Sequence, residues 1–184
     1  MSILKTKIDY TLFEKYDKEY FIENKIVPIY EDSISLKIAI CSSSNIEKIK
    51  DDFVKIVNCI EEKEHDILFI LAHIEKRVNL HKSALKSISS NDDEKFTSYF
   101  LDELILYSIE QRASDIHIEK YQDLCLFKFR VDGRLRIFFS FDGELFRVFS
   151  SFVKLISNLD MTQIRLALDG RFSRNINDKS MILD

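Results

Sequence analysis

A chain of 184 residues, 46% apolar and 32% charged, is long enough for one ordinary domain or two small ones and has the balance of a folded, water-soluble protein. Its net charge of -4 is spread evenly, with 14 basic against 16 acidic residues up to Asp92 and 13 against 15 beyond it, so no basic lobe points to nucleic acid or anionic lipid. The only glycines, Gly133, Gly143 and Gly170, each follow an aspartate, and neither GxxxxGK[ST] nor GxGxxG can be written, which excludes a phosphate-cradling loop from these residues.

From the start of the chain, Asp9 to Asn24 reads as a helix, with Leu12, Phe13, Tyr16, Tyr20 and Phe21 at helical spacing. Pro28 within IVPIY marks an edge strand, because proline cannot donate to a central ladder. Ile34 to Ile40 alternates as a second strand, and Ser44 with Glu47 fits a capping box opening a helix to about Ile56. Ile60 falls in a short strand, and Glu64 to Leu80 carries Ile67, Leu71, Ile74 and Val78 on one helical stripe.

The polar run Ser87 to Glu94 is the expected domain boundary, dividing the chain into residues 1–90 and 91–184. A helix then runs from about Asp93 to Arg112. Asp115 to Glu119 alternates strictly, Leu124 to Val131 is a second strand, and Asp132-Gly133 is a two-residue hairpin signal leading into Arg134 to Phe139. Glu144 to Asp160 is an amphipathic helix, and Asp169-Gly170 opens one more strand. The expected architecture is α+β, in two small units.

No stretch reaches the ~20 apolar residues of a membrane span, and MSILKTKIDY lacks the apolar core of a signal peptide. Cys41, Cys59 and Cys125 form no CxxC pair and read as reduced core thiols. Asp115, His117 and Glu119 share a strand face, but side chains at i, i+2 and i+4 spread over ~13 Å, too far for all three to hold one ion. A polar sheet face or an interface is the favoured reading, with a metal-dependent hydrolase as the rival. His65, His73 and His81 recur every eight residues, a spacing that drifts around a helix and suits surface positions. Lys128, Arg130, Arg134 and Arg136 flank the hairpin turn and divide between its faces, which suits inter-domain ion pairs better than a polyanion groove.

The segment Arg112 to Arg134, RASDIHIEKYQDLCLFKFRVDGR, resembles a hallmark of the type II secretion and type IV pilus-assembly ATPases: an ASDIHIEP-like strand followed by an FRVDG-like hairpin. Ser151 to Arg171, SFVKLISNLDMTQIRLALDGR, is similar to that family's helix ending in LDIAEKR and followed by PQDGR. Lys120, Phe152, Ala167 and Leu168 depart from the pattern. The family positions are Ser114, Asp115, His117, Glu119, Arg130, Asp132 and Gly133 in the first motif, and Asp160, Arg165, Asp169, Gly170 and Arg171 in the second.

The resemblance implies that residues 91–184 form a PAS-like domain with an incomplete sheet, preceded by a docking domain. It implies inter-domain contacts at the motif residues, no catalytic residue and no metal. The family's nucleotide loop belongs beyond the point where this chain ends, so the chain is expected to be inactive alone. In that family a cytoplasmic hexamer hydrolyses ATP with magnesium and docks on inner-membrane platform proteins. The implied role is a docking and coupling region for secretion, pilus assembly or DNA uptake. Its expected partners are the platform and neighbouring ATPase subunits, with no cofactor of its own and no direct nucleic-acid contact. The alternative is a stand-alone PAS-like ligand-binding or interaction module.

Overall fold

The computed structural model describes residues 2–89, 94–163, 167–176 and 179–183. It is an α+β protein of two compact units, the first formed by Met1–Lys82 with Ile137–Phe141 and the second by Ser83–Arg136 with Asp142–Asp184. The boundary expected near residue 90 falls within 90–93, outside the described residues.

In unit 1, a 3-10 turn (Ile3–Lys5) precedes α1 (Leu12–Lys15) and α2 (Lys18–Glu23). These two short helices replace the single expected one. Tyr16 is extended and Asp17 starts the chain afresh, its carboxylate accepting from Glu19 N at 3.0 Å. Strands β1 (Val27–Glu31), β2 (Ser35–Ile40) and β3 (Ile56–Glu61) form one sheet in that order. Pro28 lies on its edge strand, as its missing donor requires, and a register irregularity follows between Pro28 and Tyr30. β2 and β3 are parallel, joined across α3 (Ile46–Asp52). The N-cap of α3 is Asn45, whose side chain accepts from Lys48 N, while the Ser44 hydroxyl accepts from Cys41 N. The expected stripe Ile67, Leu71, Ile74, Val78 is buried, but on two helices, α4 (Glu64–Leu71) and α5 (Ile74–Ser89).

The core of unit 1 gathers Ile3, Phe13, Phe21, Leu36, Ile38, Ile49, Ile67 and Ile70. Within it lies Arg77, only 1% exposed. Its guanidinium sits 5.1 Å from the ring centroids of both Phe69 and Phe139. Nη1 donates to the Phe138 carbonyl and, at 3.4 Å, to the Tyr10 hydroxyl, whereas Nε and Nη2 find no hydrogen-bond partner among the described residues. Each such unmade bond costs about 1–3 kcal/mol, and two aromatic faces offset part of that cost.

In unit 2, α6 (Glu94–Glu110) is followed by β4 (Asp115–Tyr121) and β5 (Leu124–Val131). β6 (Arg134–Asp142) comes next, its ends in unit 2 and its residues Ile137–Phe141 in unit 1, and the three strands are hydrogen-bonded in that order. The expected two-residue turn is present, with Asp132 at φ 49° and Gly133 at φ 74°. α7 (Glu144–Ile156) covers a core in which Phe100, Phe127 and Phe149 meet pairwise at 5.5 Å, edge to face. The strand expected after Gly170 is a hairpin of β7 (Phe172–Ile176) and β8 (Lys179–Leu183). Arg174 ties β7 to α6: Nε donates to Asp102 at 2.8 Å and Nη2 to the Ser98 carbonyl at 3.2 Å.

Gly143 has a helical φ of -61°, so its role is closeness rather than conformation. An added Cβ would lie 2.8 Å from the Asp123 carbonyl oxygen and 2.9 Å from its carbon. Both are backbone atoms that cannot swing aside. Gly143→Ala is expected to lower stability by about 1–3 kcal/mol, read as a fall in urea midpoint at unchanged slope.

Three helices end alike. Lys25 after α2, Arg112 after α6 and Asn158 after α7 are left-handed, and in each the next N–H reaches back to the carbonyl five residues earlier: Ile26 to Phe21, Ala113 to Ser108, Leu159 to Lys154. This is the Schellman closure, made each time without glycine.

Candidate functional site

The antiparallel register of β4 and β5 sets Asp115 opposite Arg130, His117 opposite Lys128 and Glu119 opposite Leu126. Because side chains alternate along a strand, these residues share one face while Ile116, Ile118, Phe127 and Phe129 share the other. The apolar face supplies Phe127 and Phe129 to the core, which leaves the charged face to be satisfied by its own members.

Arg130 Nε donates to both oxygens of Asp115, at 3.2 and 3.1 Å. The Ser114 hydroxyl donates to Asp115 Oδ2 at 2.7 Å, and the Ser114 amide donates to the Arg130 carbonyl at 2.9 Å, closing the end of the ladder. His117 Nε2 lies against Asp115 Oδ1 and 3.2 Å from Arg130 Nη2. One nitrogen cannot donate to the carboxylate and accept from the guanidinium together, so the tautomer of His117 selects its partner. One step along, Lys128 pairs with Glu119 at 2.5 Å. Ser114's hydrogen bond above all, then those of His117 and Arg130, hold the Asp115 carboxyl below its usual range.

The cluster unites Ser114, Asp115, His117 and Arg130, with Glu119 alongside in its own ion pair. Lys128 and Arg130 thus serve ion pairs inside the sheet, while Arg134 and Arg136 are exposed beyond the turn. Chemically this is an assembly of mutually neutralised charges. No grouping of three His, Cys, Asp or Glu side chains among the described residues could hold a metal ion.

The second motif is engaged locally. Asp160 accepts from the Thr162 amide at 2.8 Å and hydroxyl at 2.7 Å, bonds that lower its pKa. Gly170 packs where a Cβ would meet the Leu159 side chain at 2.8 Å. Asp169 and Arg171 are exposed on the segment leading to β7, and Arg165 lies outside the described residues.

Two features escaped the sequence reading. His81, expected on a helix surface, is buried between Tyr10 and Phe141, a correction that depends on a strand 60 residues away in the chain. The Arg174–Asp102 pair had no local signal. Of the other two histidines in that eight-residue series, His65 is exposed as expected and His73 packs edge-on to Phe69. The three cysteines are free, Cys41 and Cys125 buried, and burial pushes the Cys125 thiol up to about 12. No described helix is long and apolar enough to cross a membrane.

Residues 90–183, just over half of the chain and including both motifs, match the family described as type II/IV secretion system protein. The type II secretion system protein E of Pectobacterium carotovorum subsp. carotovorum is 31% identical over 90 residues, covering 49% of this chain and 18% of that protein. The type II secretion system ATPase E of Vibrio cholerae is 32% identical over 94 residues, covering 51% and 18%. The type IV pilus assembly ATPase PilB of Myxococcus xanthus is 26% identical over 175 residues, covering 84% of this chain and 31% of that protein. The chain therefore spans less than a third of the length of these relatives. On the match across residues 90–183, this chain belongs to the type II/IV secretion system protein family.

Proposed function

We propose that this chain is a docking and coupling region of a secretion or pilus-assembly motor, acting through protein contacts and not through ATP hydrolysis of its own. The observation that carries the reading is the family match over residues 90–183, which includes the Asp115–Arg130 cluster. Support also comes from the chemistry of that face. Its charges are satisfied by hydrogen bonds to one another, and such a patterned polar surface selects a partner and its register more than it supplies raw affinity.

In this reading, ATP and magnesium are bound by a catalytic domain of the motor, and residues 1–184 take no cofactor. The motor is a cytoplasmic hexamer peripheral to the inner membrane, and the chain's partners are the platform proteins and neighbouring ATPase subunits. Secretion, pilus assembly and DNA-uptake competence are the processes such a motor serves. The second domain is PAS-like, and the charged faces of both motifs meet other domains.

The test is a phosphate-release assay on the purified chain with magnesium and ATP. The expected rate equals that of a protein-free blank. Magnesium-dependent turnover abolished by Glu119→Gln or His117→Ala would overturn the proposal and move the chemistry to the β4 face.

A further inference from the structure

On α5, Arg77 and His81 stand one turn apart and both bear on Tyr10, whose hydroxyl accepts from Arg77 Nη1 at 3.4 Å and whose ring lies 5.5 Å from the His81 ring. Both also bear on the segment Ile137–Phe141, which belongs to unit 1. Arg77 holds the Phe138 carbonyl and the Phe139 ring, and His81 stacks on Phe141 at 6.4 Å and 22°. On the other side of the same segment, the Ser140 hydroxyl donates to the Thr6 carbonyl at 2.8 Å. The segment is thus held at four consecutive residues, three of them by Arg77 and His81, the two buried α5 side chains that bring a cation, or the capacity to become one, into this core.

Arg77 already places a permanent charge there with two donors unsatisfied and no carboxylate partner among the described residues. A second positive charge at His81 would lie one turn away from it, in surroundings that reward neither. The remaining groups facing His81 are Asp9, 3.7 Å away but already accepting from the Thr11 amide and hydroxyl, and Lys7, which opposes protonation. Lys82, the next residue on α5, is paired with Glu14.

We propose that Arg77 and His81 make Ile137–Phe141 an acid-releasable strap: α5 grips the segment while His81 is neutral and loosens it when His81 takes up a proton. Burial, the largest influence, holds the His81 imidazole below its ordinary range, with Asp9 acting against the shift and Lys7 with it. The sign follows from linkage. Release restores the imidazole to an ordinary value of ~6.5, so the grip is at full strength above that pH and weakens as pH falls below it. The strap belongs to unit 1 and stands independently of the proposed motor role.

The experiment is hydrogen–deuterium exchange of the full chain between pH 5 and pH 7.5, corrected for the intrinsic pH dependence of exchange. Peptides spanning 137–141 are expected to lose about tenfold in protection across this range. The reference peptide spanning β2 is expected to hold its protection, and His81→Gln to make the 137–141 response flat. A flat wild-type response, an equal fall in His81→Gln, or a parallel fall in β2 would each overturn the proposal. The wild-type titration stands by itself should the variant fold poorly.

Discussion

Phe127→Ala is expected to lower the stability of unit 2 by about 3–5 kcal/mol. Phe127 is fully buried and meets both Phe100 and Phe149 edge to face at 5.5 Å. Truncation removes the transfer free energy of the ring and leaves a cavity that three different elements surround: α6, β5 and α7. A sheet with one helix on each chain flank collapses poorly into such a gap, because moving either helix breaks its own packing. Domains of this size have only about 5–15 kcal/mol of total stability, so the variant should show a large drop in urea midpoint. A change below about 1 kcal/mol would mean that the three rings do not form a shared core. Phe127→Leu, which keeps most of the volume, should cost less than half as much.

Glu31→Gln is the second large effect, and it carries a pH signature. The Glu31 carboxylate is 8% exposed on β1 and accepts from Lys15, Tyr16 and Lys55, the last at 2.9 Å. Burial alone would raise its pKa, but the bonds from Lys15, Tyr16 and Lys55 outweigh it and lower the group from 4.5 to about 2. A depressed acid contributes stability fully above its unfolded value and loses it as pH falls toward the folded one. The contribution is therefore intact above pH 4.5 and disappears between there and about pH 2. At pH 7 the substitution leaves two cations facing a neutral amide and is expected to cost about 2–3 kcal/mol. Wild type and variant should converge as pH falls through that window. Curves that stay parallel would show that Glu31 acts through packing alone. This window lies below the range proposed for His81, so the two responses separate on one pH axis.

Much of the fold was legible where local chemistry has one solution. Asp132-Gly133 demanded positive φ at two successive residues, and that fixed the hairpin and its strands, while strict alternation along β4 put Asp115 and His117 on one face. Pro28 placed β1 on an edge for a reason contained in the residue itself. The breaks between α1 and α2 and between α4 and α5 were not legible, because neither Tyr16-Asp17 nor Ala72-His73 offers glycine or proline as a stop. Tyr16 leaves the helix with its hydroxyl on Glu31, 15 residues away in the chain. The site was legible as a face but not as a cluster. Periodicity shows which side chains point together along β4, whereas the partner of Asp115 is Arg130, chosen by the register between strands. His81 reads as an ordinary helix-surface residue until an aromatic strand from much later in the chain covers it, and Arg77 with it.

The three glycine-free Schellman closures bear on the unfolded chain as much as on the folded one. Lys25, Arg112 and Asn158 each hold a left-handed backbone that an L side chain resists, at a cost of roughly 1 kcal/mol per residue. Glycine in those places would remove that strain but would also widen the conformations open to the denatured ensemble, raising the entropy lost on folding. With three glycines in 184 residues, this protein keeps its denatured ensemble narrow. Its helix ends are consequently set by the hydrogen bonds of Ile26, Ala113 and Leu159, and loosening any of those three bonds would let a strained residue relax and the helix end fray.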